Sequence, residues 1–182
     1  MGTSFSARDL ALMSLLGCLS SLTTLTTNFI PAPLPGLYGV VAIPVGTILV
    51  FMARDMVGKP GAATFTHLVS GVLSTFMPGG PPLKWIIVPI WVSGGVVIDL
   101  LLHATRARLG ESRWVSTTVG LIYEIPGDLI LCWAFRAFLG WYLPLLFFMY
   151  GFVAIHALLG GLAGLFFPDI LNRIEPVMRG AR

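Results

Sequence analysis

Six long apolar runs, separated by short charged or Pro/Gly-rich breaks, leave this chain few ways to fold in water. They lie at approximately 9–29, 37–53, 60–77, 83–105, 115–138 and 141–167. A bilayer core takes about 20 predominantly apolar residues per helical span. The pattern therefore predicts an all-α membrane protein, a single domain over 1–182 with six transmembrane helices. Composition points the same way: apolar residues make up 56% of the chain and charged residues 10%, against about 25% charged in a soluble domain. A transmembrane barrel would alternate apolar and polar positions along short strands, and no such alternation is present.

The first run is longer than the apolar core of a signal peptide, carries Asp9 and lacks a small-residue cleavage site before Asn28, so it is read as helix 1. Cys18 and Cys132 fall in different spans without metal-ligand spacing and predict neither a disulfide nor a zinc site.

Counting cations by loop orients the bundle. Arg8, Arg54, Lys59, Arg106, Arg108, Arg113, Arg173, Arg179 and Arg182 fall on one side, and Lys84 and Arg136 on the other. Nine against two on short loops predicts a multi-pass protein of the cell membrane with both termini in the cytoplasm. The formal charge of +3 then reflects topology and contact with anionic lipid, not nucleic-acid binding. No Walker-type phosphate loop occurs, so the chain has no means of hydrolysing ATP by itself.

The outward connections "NFIPAPLPGLYG" and "MPGGPPLKW" are stiff and almost uncharged. Proline presets φ and glycine supplies turns closed to other residues. Such segments serve either as a shaped lid over an outer cavity or as tight helix connections.

Ionisable groups in a span cost about 2.5–3.5 kcal/mol each on insertion scales and usually face the bundle interior or a wet cavity. His67 shares a helical face with Ser70, Gly71 and Ser74; Asp99 follows Gly95 and Trp91 on one face and precedes His103; Gly120, Glu124 and Asp128 form a stripe beside Pro126. His156 precedes the small-residue run "GGLAG", which permits close helix contact. From the rise per residue, His67, Glu124 and His156 each fall about 10–15 Å into the membrane. Groups from four helices at similar depth suit one polar site; interhelical hydrogen bonds are the plainer alternative. Trp85, Trp141, Tyr142 and Trp114 have the positions of an interfacial aromatic belt. Trp91, Tyr123 and Trp133 lie deeper, suited either to stacking on a planar ligand or to packing.

Taken together, these residues resemble a family. Six spans, a small-residue helix 1 and Pro-rich outer loops are similar to the substrate-binding S components of energy-coupling factor (ECF) vitamin transporters. "KPGAA" at 59–63, the Pro-Gly loop after that helix, "GGVVID" and "IYE" at 122–124 resemble in particular the YkoE-like type for hydroxymethylpyrimidine or thiamine. The resemblance covers about residues 37–165 and implies a binder that is not an enzyme, needs no cofactor and takes its ligand from outside. It implies a membrane-embedded T component and two cytoplasmic ATPases as partners. It also implies that small residues on helix 1, here Ala11, Ser14, Gly17, Cys18 and Ser21, form the coupling face. The resemblance and the spans together place the ligand among His67, Ser70, Ser74, Trp91, Asp99, Tyr123, Glu124, Asp128, Trp133 and His156. One departure shifts the emphasis within that set. The thiamine-type relatives carry an acid where this chain has His67, so recognition of a cation moves to Glu124 or Asp99. No Met-His start of the nickel or cobalt type is present, and the three histidines are scattered, so metal uptake is not expected.

Two other classes stay open at this stage. One is an intramembrane enzyme using Glu124, Asp128 and His67 as acid and base, although no nucleophile or metal triad accompanies them. The other is a proton- or ion-conducting bundle, for which an Asp/Glu/His chain is the signature.

Overall fold

A computed structural model describes residues 4–29, 39–142 and 144–180, with side chains through residue 174. All regular structure among these residues is helical. Helix α1 (Ala7–Thr23) starts with a capping box: the Ser6 hydroxyl accepts from the Asp9 amide, and the Asp9 carboxylate accepts from the Ser6 amide. It runs into a 3-10 turn over Thr24–Asn28. Helix α2 (Ala42–Val57) stops at Gly58, whose φ of 67° is the left-handed conformation that glycine adopts without strain. Helix α3 (Ala62–Thr75) follows directly. A 3-10 turn at Lys84–Ile86 leads into α4 (Ile87–Thr105), then come α5 (Arg113–Ile122) and α6 (Ile125–Leu139). A short α7 (Leu145–Phe148) passes through a π-helical turn (Met149–Ala154) into α8 (Ile155–Gly180).

Four helical stretches are long and apolar enough to cross a membrane: Ala7–Asn28, Lys84–Thr105, Arg113–Leu139 and Leu145–Ile174. Helices α2 and α3, at 16 and 14 residues, are shorter. Three expectations change in detail. Arg54 is not a loop cation; it lies inside α2, buried and paired with Asp99. The fifth apolar run is two helices, interrupted at Tyr123 and Glu124 just ahead of Pro126. The sixth begins at Leu145 and continues past Phe167 to Gly180. The segment 30–38, which holds most of the first expected lid and the start of the second run, lies outside the described residues, as do Arg182 and the side chain of Arg179.

Contacts between chain turns define two poles. Where α1, α3 and α5 begin, the Lys59 ammonium reaches the Asp9 carboxylate at 2.7 Å and the Ser4 carbonyl at 3.0 Å, and Arg113 pairs with Asp169 of α8 at 2.7 Å. At the far pole the Asn28 amide donates to the Pro78 carbonyl at 3.2 Å, while the Lys84 ammonium donates to the carbonyls of Met77 and Gly79. Gly79, at φ 91°, leaves room for Thr27 and Asn28 that a Cβ would take away.

Between the poles, small residues bring backbones together. A Cβ on Gly120 would strike the Gly160 backbone, and one on Gly164 would strike that of Ser116. The repeats Ser116-x-x-x-Gly120 and Gly160-x-x-x-Gly164 thus zip α5 to α8, as the small-residue run suggests. Gly95 of α4 does the same against Ala63 and Thr64 of α3. Helices α1 and α3 run side by side: Gly17 backs onto Thr66 and Val69, and the Thr24 and Ser74 hydroxyls bond at 3.1 Å. The apolar core is centred on Met13, Val50, Phe51, Ile98, Tyr123 and Phe167, with Phe51 edge-on to Phe167 at 5.5 Å between ring centroids.

Candidate functional site

The break between α5 and α6 builds the central cluster. Tyr123 closes α5, is 1% exposed and lies between two aromatic neighbours, with Phe51 at 6.1 Å and His67 at 5.9 Å. Its hydroxyl bonds that of Thr47 on α2 and also faces the Glu124 carboxyl. Glu124 is the cap residue of α6, and Asp128 stands one turn further on the same side. Asp128 is 4% exposed; its Oδ1 lies 2.8 Å from Nδ1 of His156, at the start of α8, while its Oδ2 has no hydrogen-bond partner. Phe152 of the π-helical turn packs edge-on to the His156 ring at 5.8 Å. His67 is buried on α3, against Trp91 of α4 at 5.8 Å, with its Nδ1 unpartnered. Gly94 makes this approach possible, since a Cβ there would crowd the Tyr123 ring and carbonyl.

Six of the ten candidate ligand residues therefore gather in one region: His67, Trp91, Tyr123, Glu124, Asp128 and His156. The other four take no part in its hydrogen bonds, ion pairs or ring contacts. Ser74 is turned toward Thr24 of α1, and Ser70 is fully buried with no partner for its hydroxyl. Trp133 is 58% exposed on the outer side of α6, edge-on to Phe138.

Asp99 belongs to a second cluster, at the pole where α3 begins. Its Oδ2 accepts from the Thr64 amide at 2.9 Å and the Thr64 hydroxyl at 2.8 Å, and its Oδ1 lies 2.9 Å from Nε of Arg54. The Thr64 amide is one of the four donors that the first turn of α3 leaves unsatisfied, so Asp99 caps α3 from a neighbouring helix. The adjacent Asp55 accepts from the Gly110 amide at 3.1 Å. A shallow surface depression beside this cluster is lined by Thr64, Leu100 and His103 among others, and a second lies along Leu146 to Gly151. Neither is lined by Glu124, Asp128 or His156.

The candidate coupling residues divide in the same manner. Gly17 and Ser21 are buried, Gly17 against α3, while Ala11 and Cys18 are exposed and Ser14 is half-buried. The outward stripe of α1 is Ala11, Ser14, Leu15, Cys18 and Leu22.

Thr47, Gly94 and Arg54 were not singled out as site residues. Thr47 is a lone hydroxyl in the apolar stretch "GTILVF", a pattern that signals a buried partner but not which one. Among the described residues no group of His, Cys, Asp and Glu is arranged to hold a metal ion. Chemically, the central cluster offers two carboxyl groups, one of them with an unengaged oxygen, beside imidazole and indole rings. That combination recognises a planar cation or a hydrogen-bond donor. Compared with known proteins, the chain matches no family model, no curated protein and no solved structure.

Proposed function

We propose that the chain is the membrane-embedded substrate-binding subunit of an ECF-type uptake transporter, crossing the bilayer six times with both termini inside. Its ligand is a small heterocyclic vitamin or precursor taken from the outside, either thiamine, which carries a fixed positive charge, or hydroxymethylpyrimidine. The observation that supports this reading is the gathering of Glu124, Asp128 and His156 beside Tyr123, His67 and Trp91 at an interrupted helix. Interrupted helices and π-turns put backbone and side-chain polarity where a membrane protein handles a ligand. Glu124 and the unengaged oxygen of Asp128 meet the cationic ring, and Trp91 stacks near it. In this reading the short α2 and α3 are the second and third spans. The outward stripe of α1, without Gly17 and Ser21, is the surface offered to a T component, which with two ATPases supplies the energy.

The test is mass spectrometry of small molecules that co-purify with the protein, followed by tryptophan-fluorescence titration with thiamine and with hydroxymethylpyrimidine. Saturable quenching that weakens about 10- to 100-fold in Glu124→Gln is the expected result, the size of a lost charge-assisted hydrogen bond. Absence of saturable binding by either compound, or ion flux through the protein alone in vesicles, would sink the reading in favour of a conducting bundle.

A further inference from the structure

A census of charge around the central cluster does not balance. Glu124 and Asp128 bring two carboxyl groups, and His156 brings at most one positive charge to them. The cations nearest in the chain are committed elsewhere or too far away. Arg54 of α2 pairs with Asp99. Arg113 of α5 pairs with Asp169 of α8. Arg136 is eight residues beyond Asp128 on α6, about 12 Å along the helix axis. Helix α3 contributes His67 alone. A charged imidazole donates from both nitrogens, and Nδ1 of His67 has no acceptor, so His67 is neutral. From α4 come Trp91 and Gly94, and the π-helical turn contributes Phe152. The segment 30–38, IPAPLPGLY, contains no Asp, Glu, Lys, Arg or His that would alter the sum. With both carboxyl groups ionised, at least one net negative charge would be left between the half-buried Glu124 and the buried Asp128, whose Oδ2 has no partner.

We propose that this cluster is a proton-binding site: without ligand at neutral pH, one of the Glu124 and Asp128 carboxyl groups is kept as the neutral acid, and an arriving cation displaces its proton. A protonated Glu124 has the Tyr123 hydroxyl beside it, and protonation of either carboxyl removes the uncompensated charge. When a cation enters, the acid O–H bond breaks, the carboxylate that forms pairs with the cation, and the proton passes to water. Net charge in the site is the same before and after. The proton site stands on the geometry alone; the nature of the displacing cation rests on the function proposed above.

Infrared difference spectroscopy on the full chain in lipid vesicles tests it, with a pH-indicating dye in lightly buffered solution. A carbonyl stretch of a neutral carboxylic acid is expected at neutral pH in the wild type, shifted by isotope-labelled glutamate or aspartate and lost in Glu124→Gln or Asp128→Asn. The labelled wild type secures the assignment even where a substitution impairs folding. Saturating thiamine should abolish the band and release one proton per thiamine bound. No such band at neutral pH, or a band that persists in both variants, overturns the proton site. Thiamine binding without proton release overturns the exchange. A band with no thiamine binding upholds the proton site while counting against the vitamin reading.

Discussion

The pole where α3 begins and the break between α5 and α6 both put carboxylates inside the bundle, yet they treat them in opposite ways. Asp99 has all that a buried anion requires: a guanidinium, a hydroxyl and a helix-end amide, each within 2.9 Å. Its partners come from α2 and α3, so one carboxylate ties three helices. Asp128 has one imidazole on one oxygen and nothing on the other, with Glu124 one turn away. Saturated polar groups lock a fold, whereas half-satisfied ones are tolerated where something else arrives to complete them. The first cluster reads as architecture and the second as a site.

Breaking the first cluster should give the largest effect on stability. Asp99→Ala leaves Arg54 buried without its counter-ion, and removing one member of a buried pair costs about 3–5 kcal/mol. Denaturation in mixed micelles should show it. An Arg54→Met/Asp99→Leu double variant should recover part of the loss, because the charge that would have been stranded is gone, while the Thr64 amide and hydroxyl still lose their acceptor. Next in size is Tyr123→Phe, which removes the bond to Thr47 and the contact with Glu124 while preserving ring packing on Phe51 and His67. It should cost about 1 kcal/mol, with a further acceptor left unpaired at Thr47 or Glu124 adding to that. The smallest change is expected for Arg113→Ala. That pair is 60% and 46% exposed, and screened surface pairs contribute less than about 1 kcal/mol. If Arg113→Ala destabilised more than Asp99→Ala, the contrast between saturated interior pair and exposed pair would fail.

Much of this architecture was legible in the sequence, and the limits have physical causes. The apolar runs foretold where helices lie, because hydropathy over some twenty residues is a strong signal. The small-residue run after His156 foretold a close helix contact, since only a missing Cβ allows such an approach; that the partner is α5 comes from the structure. Arg54 misled because a cation near a helix end looks the same whether it is solvated or turned inward; its partner is 45 positions away at Asp99. Asp99 shared the spacing of a site residue with Trp91 and Gly95, and periodicity reports the face a residue is on but not what the neighbouring helix places there. Gly17 and Ser21 illustrate the same limit on α1: a stripe of small residues is as suited to an internal helix contact as to a docking surface, and here α3 takes Gly17 while Ser21 is buried with its hydroxyl on the Cys18 carbonyl. The interruption at Tyr123 was signalled by Pro126 alone, which announces a break but not that a buried tyrosine would bridge Thr47 and Glu124 across it.

The most direct measurement sets the two clusters against each other in one experiment: fluorescence titration with thiamine and with hydroxymethylpyrimidine on wild type, Glu124→Gln and Arg54→Met/Asp99→Leu. Binding that weakens in Glu124→Gln and is retained in the folded double variant is predicted. Binding lost in the double variant and intact in Glu124→Gln would contradict the assignment, and would place the ligand at the pole of α3 instead.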